Sequence, residues 1–243
     1  MPAYNEEFGL EILLSRLKRV MNDIKYPWEI VVVNDGSKDR TLKVLSSFKD
    51  SLPLKIISFD KNRGITEVFL KGFNHILSEA SNEDLIITLD SDNTQSPYVI
   101  YDLISEWEKG FNLVIASRFV SGSCVMGVPW FRNILSLNVA YLLKYFFPYN
   151  NVSDYSTFYR AQTVELIGRV VSKVPMELVI SGEGFSSMAR FLLNLCYRGQ
   201  ANVSEVPITL RYDLKEGGTG IRIFRTIFGY FRLIRDLRNE FYK

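Results

Sequence analysis

Glu29-Ile30-Val31-Val32-Val33-Asn34-Asp35-Gly36 decides the fold class. A strand with one wet face alternates apolar and polar residues, whereas four consecutive β-branched residues closed by an Asp-Gly turn predict a strand buried on both faces. Leu54-Lys55-Ile56-Ile57-Ser58-Phe59 and Leu85-Ile86-Ile87-Thr88-Leu89 share this character, and each runs into an aspartate, Asp60 and Asp90. Residues 65–78 between them are long enough for a crossover helix. Further helices are predicted at 7–22, 39–49 and 97–109, and Leu113-Val114-Ile115-Ala116 reads as another strand. The order βαβαβαβ predicts an α/β, Rossmann-like, mostly parallel sheet flanked by helices. Beyond it the chain reads as an aromatic-rich helix at 128–147, a strand at 156–160, a helix at 185–198 and a strand at 202–210.

With 243 residues, 47% of them hydrophobic and 23% charged, the chain can bury a substantial core. No Pro/Gly/Ser-rich linker divides it, so one domain is expected over residues 1–220, with 221–243 as a C-terminal extension. A net charge of +2 is too small for a nucleic-acid binder. Cys124 and Cys196 are far apart and suggest neither a disulfide framework nor a zinc site, which fits a reducing cytoplasm. No secretory signal is evident at the start. The longest apolar-rich stretch, 134–149, is interrupted by Ser136, Asn138 and Lys144, so no membrane span is expected.

Ligands of open parallel sheets bind beyond the carboxyl ends of the strands, where Asn34-Asp35-Gly36-Ser37 and Asp90-Ser91-Asp92 fall. Asp90 and Asp92 are two apart at a strand end, so their side chains can point the same way and converge on one hard divalent cation. Such an ion, with diphosphate oxygens as further ligands, would neutralise a departing nucleoside diphosphate. Taken alone, the pair reads more readily as a solvated acidic turn with Asp92 capping the next helix. His75, the only histidine, lies inside a predicted helix and reads as a packing or surface residue. Gly217-Gly218-Thr219-Gly220 reads as a loop able to grip phosphate.

Pro2-Ala3-Tyr4-Asn5-Glu6-Glu7, Val33-Asn34-Asp35-Gly36-Ser37-Lys38-Asp39 and Thr88-Leu89-Asp90-Ser91-Asp92-Asn93-Thr94-Gln95-Ser96-Pro97 occur in the order and approximate spacing of the family 2 glycosyltransferases, which the chain resembles. The resemblance implies a GT-A fold, with Pro2, Ala3, Tyr4, Glu6, Asp35 and Asp90 around the nucleotide of a GDP- or UDP-sugar. It implies Asp90, Asp92 and Gln95 at a Mg²⁺ or Mn²⁺ ion. Ala116-Ser117-Arg118-Phe119, Trp130-Phe131-Arg132-Asn133-Ile134-Leu135-Ser136 and Glu205-Val206-Pro207-Ile208 resemble the dolichyl-phosphate mannose synthase and polyprenyl-phosphate branch. That implies a lipid-phosphate acceptor held by Arg118, Arg132 and Ser136, with Asp92, Arg118 and Arg132 carrying the inverting transfer. Arg132 and Ser136, four apart, would share one helical face. A saccharide hydroxyl is the alternative acceptor, with Asp154 or Glu183 as first candidates for base. The Gln-x-x-Arg-Trp motif of processive synthases is absent from the sequence.

The family places a complete strand before Pro-Ala-Tyr-Asn-Glu, whereas only Met1 precedes Pro2 here, so the first strand is expected to be missing. Residues 221–243 hold six basic and two acidic residues among Phe, Ile and Leu at helical spacing. This composition suits either an anionic membrane surface or the chain's own domain. The expected location is peripheral, on the cytoplasmic face of a membrane.

Overall fold

Pro2–Ala3 forms a two-residue strand, β1, paired in parallel with Val33 and Asn34 of β2 (Ile30–Asn34), and β2 pairs in parallel along its length with β3 (Leu54–Ser58). Every residue of β2 is buried, as its unbroken apolar run requires. The structure, a computed structural model, describes residues 1–182, 184–215 and 223–242, and the side chains of all of these except 130–133 and 223–226. Helix α1 (Glu7–Asn22) buries Leu10, Leu13, Leu14, Leu17 and Val20, a spacing of three and four that lays one stripe against the sheet. α2 (Thr41–Ser47) and α3 (Ile65–Glu79) complete this half.

The second half carries the antiparallel exception within the mostly parallel arrangement. β4 (Leu85–Thr88), α4 (Val99–Glu108), β5 (Leu113–Ser117), β6 (Cys124–Met126), α5 (Trp130–Phe146) and β7 (Arg160–Thr163) follow in order. β7 inserts between β4 and β5 and runs antiparallel to both. The strand expected at 156–160 therefore begins only at Arg160. Residues 156 and 157 donate their backbone N–H groups to Asp154 instead of to a ladder. After α6 (Val164–Val171), α7 (Met176–Val179) and α8 (Phe185–Tyr197), the strand expected at 202–210 breaks at buried Ile208. β8 (Val203–Pro207) pairs with β5, and β9 (Thr209–Arg211) pairs with β6. Helix α9 (Ile223–Phe241) packs on α8 and α5 through Tyr230, Leu233, Ile234 and Leu237.

The missing-strand expectation needs a correction: a first strand exists, but it is two residues long. Between β2 and β4 lies a groove of about 790 Å³. α3 covers one face with Val68, Phe69 and Phe73, and α1 and α4 line the other with Leu17, Ile100 and Ile104. Among the described residues the strand partners of β2 are β1 and β3, and the strand partner of β4 is β7. The halves are joined by packing, since Val32, Leu89 and Val114 share one core, and by Ser91 Oγ donating to Pro2 O at 2.6 Å.

Candidate active site

The ends of β1, β2 and β4 meet at one crevice, where the first two sequence motifs lock to each other. Asn5, held at φ 55°, accepts from Lys38 N at 2.8 Å, and its own N–H donates to Ser37 Oγ at 3.0 Å. Glu6 N donates to Thr41 Oγ1 at 2.8 Å. Pro2 and Ala3 are buried and Tyr4 is exposed. The Glu6 carboxyl is pushed up to about 7, by burial first and by the charges of Asp92 and Asp39, against the opposing pull of Lys215. Buried Asp35 accepts from Arg63 N at 2.7 Å and Gly64 N at 2.9 Å, which ties the loop after β3 to the crevice floor.

Asp90 and Asp92 follow β4. Burial, and then the neighbouring charge of Asp92, hold the Asp90 carboxyl well above its ordinary range. The Gln95 carboxamide brackets Asp90, accepting from its N–H at 3.0 Å and donating to Oδ2 at 2.8 Å. Asp92 Oδ1 accepts from Thr94 Oγ1 at 2.6 Å, and Asp92 Oδ2 accepts from Lys215 Nζ at 2.8 Å. The segment is tightly seated: a Cβ on Gly9 of α1 would come within 2.9 Å of the Asp92 carbonyl carbon. Arg16 donates to Asn93 Oδ1 at 3.0 Å, with Asn93 in the left-handed region at φ 60°.

This donor set fits a hard divalent cation. Asp92 already pairs with a cation, the Lys215 ammonium, and both aspartates offer oxygen ligands. Among the described residues no third acidic, histidine or cysteine side chain completes a protein cage, so an ion here would take further ligands from a bound molecule or water.

From Asp90 and Gln95 a cavity of about 170 Å³ runs to Arg118 and Ser136 between apolar walls such as Leu135 and Phe158. Arg118 forms a bidentate pair with Asp154, Nε and Nη2 each 2.7 Å from a carboxylate oxygen. Its Nη1 donates to Ser136 Oγ at 3.1 Å, and Nη2 also reaches Ser156 Oγ. Burial would raise the Asp154 carboxyl, but Arg118 outweighs it and holds the pKa below the usual range. Fully buried, Asp154 also accepts from Arg118 N, Ser156 N and Thr157 N. It is an anchor for Arg118 and has no exposed face to offer a substrate hydroxyl.

Of the residues the sequence reading singled out, the structure brings Arg118 and Ser136 together and places Arg132 on α5, one turn before Ser136. The Arg132 side chain, Glu183 and residues 217–220 lie outside what the structure describes. His75 lies on α3 with Nδ1 3.6 Å from Glu79. Lys215, Ser156 and Gly9 escaped the sequence reading, and nothing in their local pattern marks them.

The sequence model described as "Glycosyl transferase family 2" matches residues 1–170. The chain belongs to that family. The match contains the crevice, the Asp90/Asp92 pair and Asp154. A dolichol-phosphate mannosyltransferase of Pyrococcus furiosus is 30% identical over 98% of this chain and 62% of its own length. An undecaprenyl-phosphate 4-deoxy-4-formamido-L-arabinose transferase of Pseudomonas fluorescens is 36% identical over 47% of this chain and 33% of its own. The chain thus spans less than two thirds of these relatives. Glucosyl-3-phosphoglycerate synthase from Mycobacterium tuberculosis, solved with Mn²⁺, UDP and glucosyl-3-phosphoglycerate, superposes with a TM-score of 0.64 at 17% identity, over 99% of this chain and 77% of that one. S. aureus TarS 1-349 with UDP-GlcNAc gives 0.58 at 21%, over 96% and 63%. At such identities the likeness speaks to fold, and this family 2 chain has the GT-A architecture, with the antiparallel β7 inside an otherwise mostly parallel arrangement.

Proposed function

We propose that this family 2 glycosyltransferase moves a sugar, with inversion, from a GDP- or UDP-sugar to a polyprenyl phosphate, with Mg²⁺ or Mn²⁺ at Asp90 and Asp92. The observation that carries the reading is the cavity joining Asp90 to Arg118 and Ser136. One end suits a nucleoside diphosphate, and the other offers a guanidinium and a hydroxyl to an anion.

The leaving diphosphate acquires charge as the glycosidic bond breaks, and a divalent ion at the two aspartates would supply the neutralising charge. Pro2, Ala3, Tyr4, Glu6 and Asp35 would hold the nucleotide, and Gln95 would keep Asp90 oriented. At the opposite end Arg118, with Ser136 and Arg132, would bind the acceptor phosphate and aim one oxygen at the anomeric carbon. That oxygen forms the new C–O bond as the bond to the diphosphate breaks, which inverts the centre. A phosphate monoester is already ionised near neutral pH and needs no general base. This agrees with Asp154, the carboxylate beside Arg118, being buried and fully engaged.

A lipid acceptor calls for a membrane-facing surface, and α5 and α9 supply one. Tyr141 and Tyr145 of α5 are 69% and 80% exposed, and Phe228 and Phe231 of α9 are 72% and 56% exposed. Leu135 and Val139 of α5 and Ile227 of α9 line the cavity itself, so the chain of a lipid would pass between these helices. Arg232, Arg235 and Arg238 on α9 suit anionic headgroups. Among the described residues no helix is long and apolar enough to cross a bilayer. The reading places α9, within 221–243, as the peripheral contact on the cytoplasmic face.

The test is release of nucleoside diphosphate from a panel of GDP- and UDP-sugars with Mn²⁺, with a short polyprenyl phosphate or a saccharide as acceptor. Release is expected only with the lipid phosphate and is expected to vanish in Asp92→Ala. Turnover with a saccharide alone would overturn the acceptor assignment.

A further inference from the structure

Lys215 lies 123 residues from Asp92 in sequence, yet its Nζ sits 2.8 Å from Asp92 Oδ2. The other Asp92 oxygen is taken by Thr94 Oγ1 and Thr94 N at 2.6 and 3.1 Å. The oxygen left for a cation is therefore the one the ammonium holds. The charges of Glu6 and Asp90 act on Lys215 as well, but the carboxyl it touches is that of Asp92.

We propose that Lys215 is the resident counter-cation of the Asp90/Asp92 pair and that a divalent ion enters by exchange with it. The proposal rests on the metal reading above. An ammonium and a divalent cation in contact with one carboxylate oxygen repel each other strongly at the low effective dielectric of a half-buried site, which favours exchange over sharing. The exchange needs no movement of the local backbone. The 3₁₀ turn Tyr212–Leu214 just before Lys215 is pinned against Gly127, where a Cβ would come within 2.3 Å of Asp213 N. Lys215 N closes that turn on Tyr212 O at 3.2 Å. The side chain has four rotatable carbons, so its head can leave Asp92 while its Cα stays in place. Once displaced, the ammonium remains within reach of the same crevice as a partner for the donor's diphosphate. The lysine thus holds the carboxylates together when the site is empty of metal and binds phosphate once metal arrives.

Mn²⁺ titrations followed by electron paramagnetic resonance, on the full chain without nucleotide, test the exchange. Lys215→Met is expected to bind Mn²⁺ roughly fivefold more tightly than wild type, the scale of losing one half-buried ion pair. Lys215→Arg, which keeps the charge, is expected to bind no more tightly than wild type, and Asp92→Asn to bind little or none. With Mn²⁺ saturating, Lys215→Met is expected to weaken UDP or GDP binding several-fold. Equal or weaker Mn²⁺ binding by Lys215→Met, with Asp92→Asn defective, would overturn the exchange and leave the metal reading standing. Tightening in Lys215→Arg as well would show that charge is not the cause and also overturn it. Binding by neither wild type nor Lys215→Met would overturn both readings. Circular dichroism melts establish that each variant is folded before it is titrated.

Discussion

Arg118 illustrates why a residue assigned to substrate can carry structural weight as well. Its guanidinium is clamped by a carboxylate with no exposed surface, and removing one member of a buried pair leaves the other charge stranded. Arg118→Ala is therefore expected to cost about 3 kcal/mol or more in urea unfolding, besides any loss of acceptor binding. Arg118→Ala,Asp154→Ala should recover part of that stability without recovering transfer. An Arg118→Ala protein as stable as the parent would mean that the pair contributes little. At this scale the sequence was most legible where partners are close. Asp90 and Asp92 were singled out by a spacing of two in its motif context, and Arg118 and Ser136 by motifs, and in each pair the structure places the two residues at one cavity or turn. Asp154 was read as a possible base because its pairing spans 36 residues, and no local pattern encodes a partner at that distance. Lys215 is the extreme case.

Elements were legible in proportion to their periodicity. α1, α3 and α8 stand within a residue or so of expectation because each carries an apolar stripe that nothing else competes for. β7 was misplaced because the polar residues before it serve Asp154, and β8 and β9 were fused because the break at Ile208 is apolar and invisible to a pattern of hydrophobicity. For α9 the sequence left two partners open, the protein's own domain and a membrane, and the structure shows the packing on the domain. Tyr230, Leu233, Ile234 and Leu237 are buried, and Arg190 and Arg198 pair with Glu240 at 2.9 and 3.0 Å. Phe228 and Phe231 stay outside. Phe228→Ser,Tyr145→Ser is accordingly expected to lower partitioning onto anionic vesicles by about tenfold or more, since burying one aromatic side chain is worth about 1.5–3 kcal/mol. Sedimentation with phosphatidylserine vesicles measures it. The melting temperature should hold, because neither side chain is buried, and unchanged partitioning would remove these helices from the membrane surface.

For the molecule as a whole, the sequence announced the α/β layers and the crevice at the strand ends, but its expectation of a missing first strand was wrong, since Pro2–Ala3 pairs with β2. The sequence could not show the groove between β2 and β4, because that gap is a property of the assembled halves. Among the described residues the two halves share no strand ladder to make them open as one cooperative unit. Regions tied by packing alone open locally at lower free energy than strands bonded on both sides. β5 is flanked by β7 and β8 and buried throughout. The Val31 backbone amide, which faces the groove while those of Ile30 and Val32 face β3, should therefore exchange hydrogen for deuterium well before those of Leu113–Ser117, at a denaturant-independent rate typical of local opening. Equal protection would mean that the halves open together after all. If the ranking holds, breathing of the β2 half reaches Pro2, Ala3 and Asp35 first. The nucleotide crevice would then sit on the faster-fluctuating side of the molecule and the Arg118 anchor on the slower, so that donor binding quenches motion while the acceptor end stays preformed.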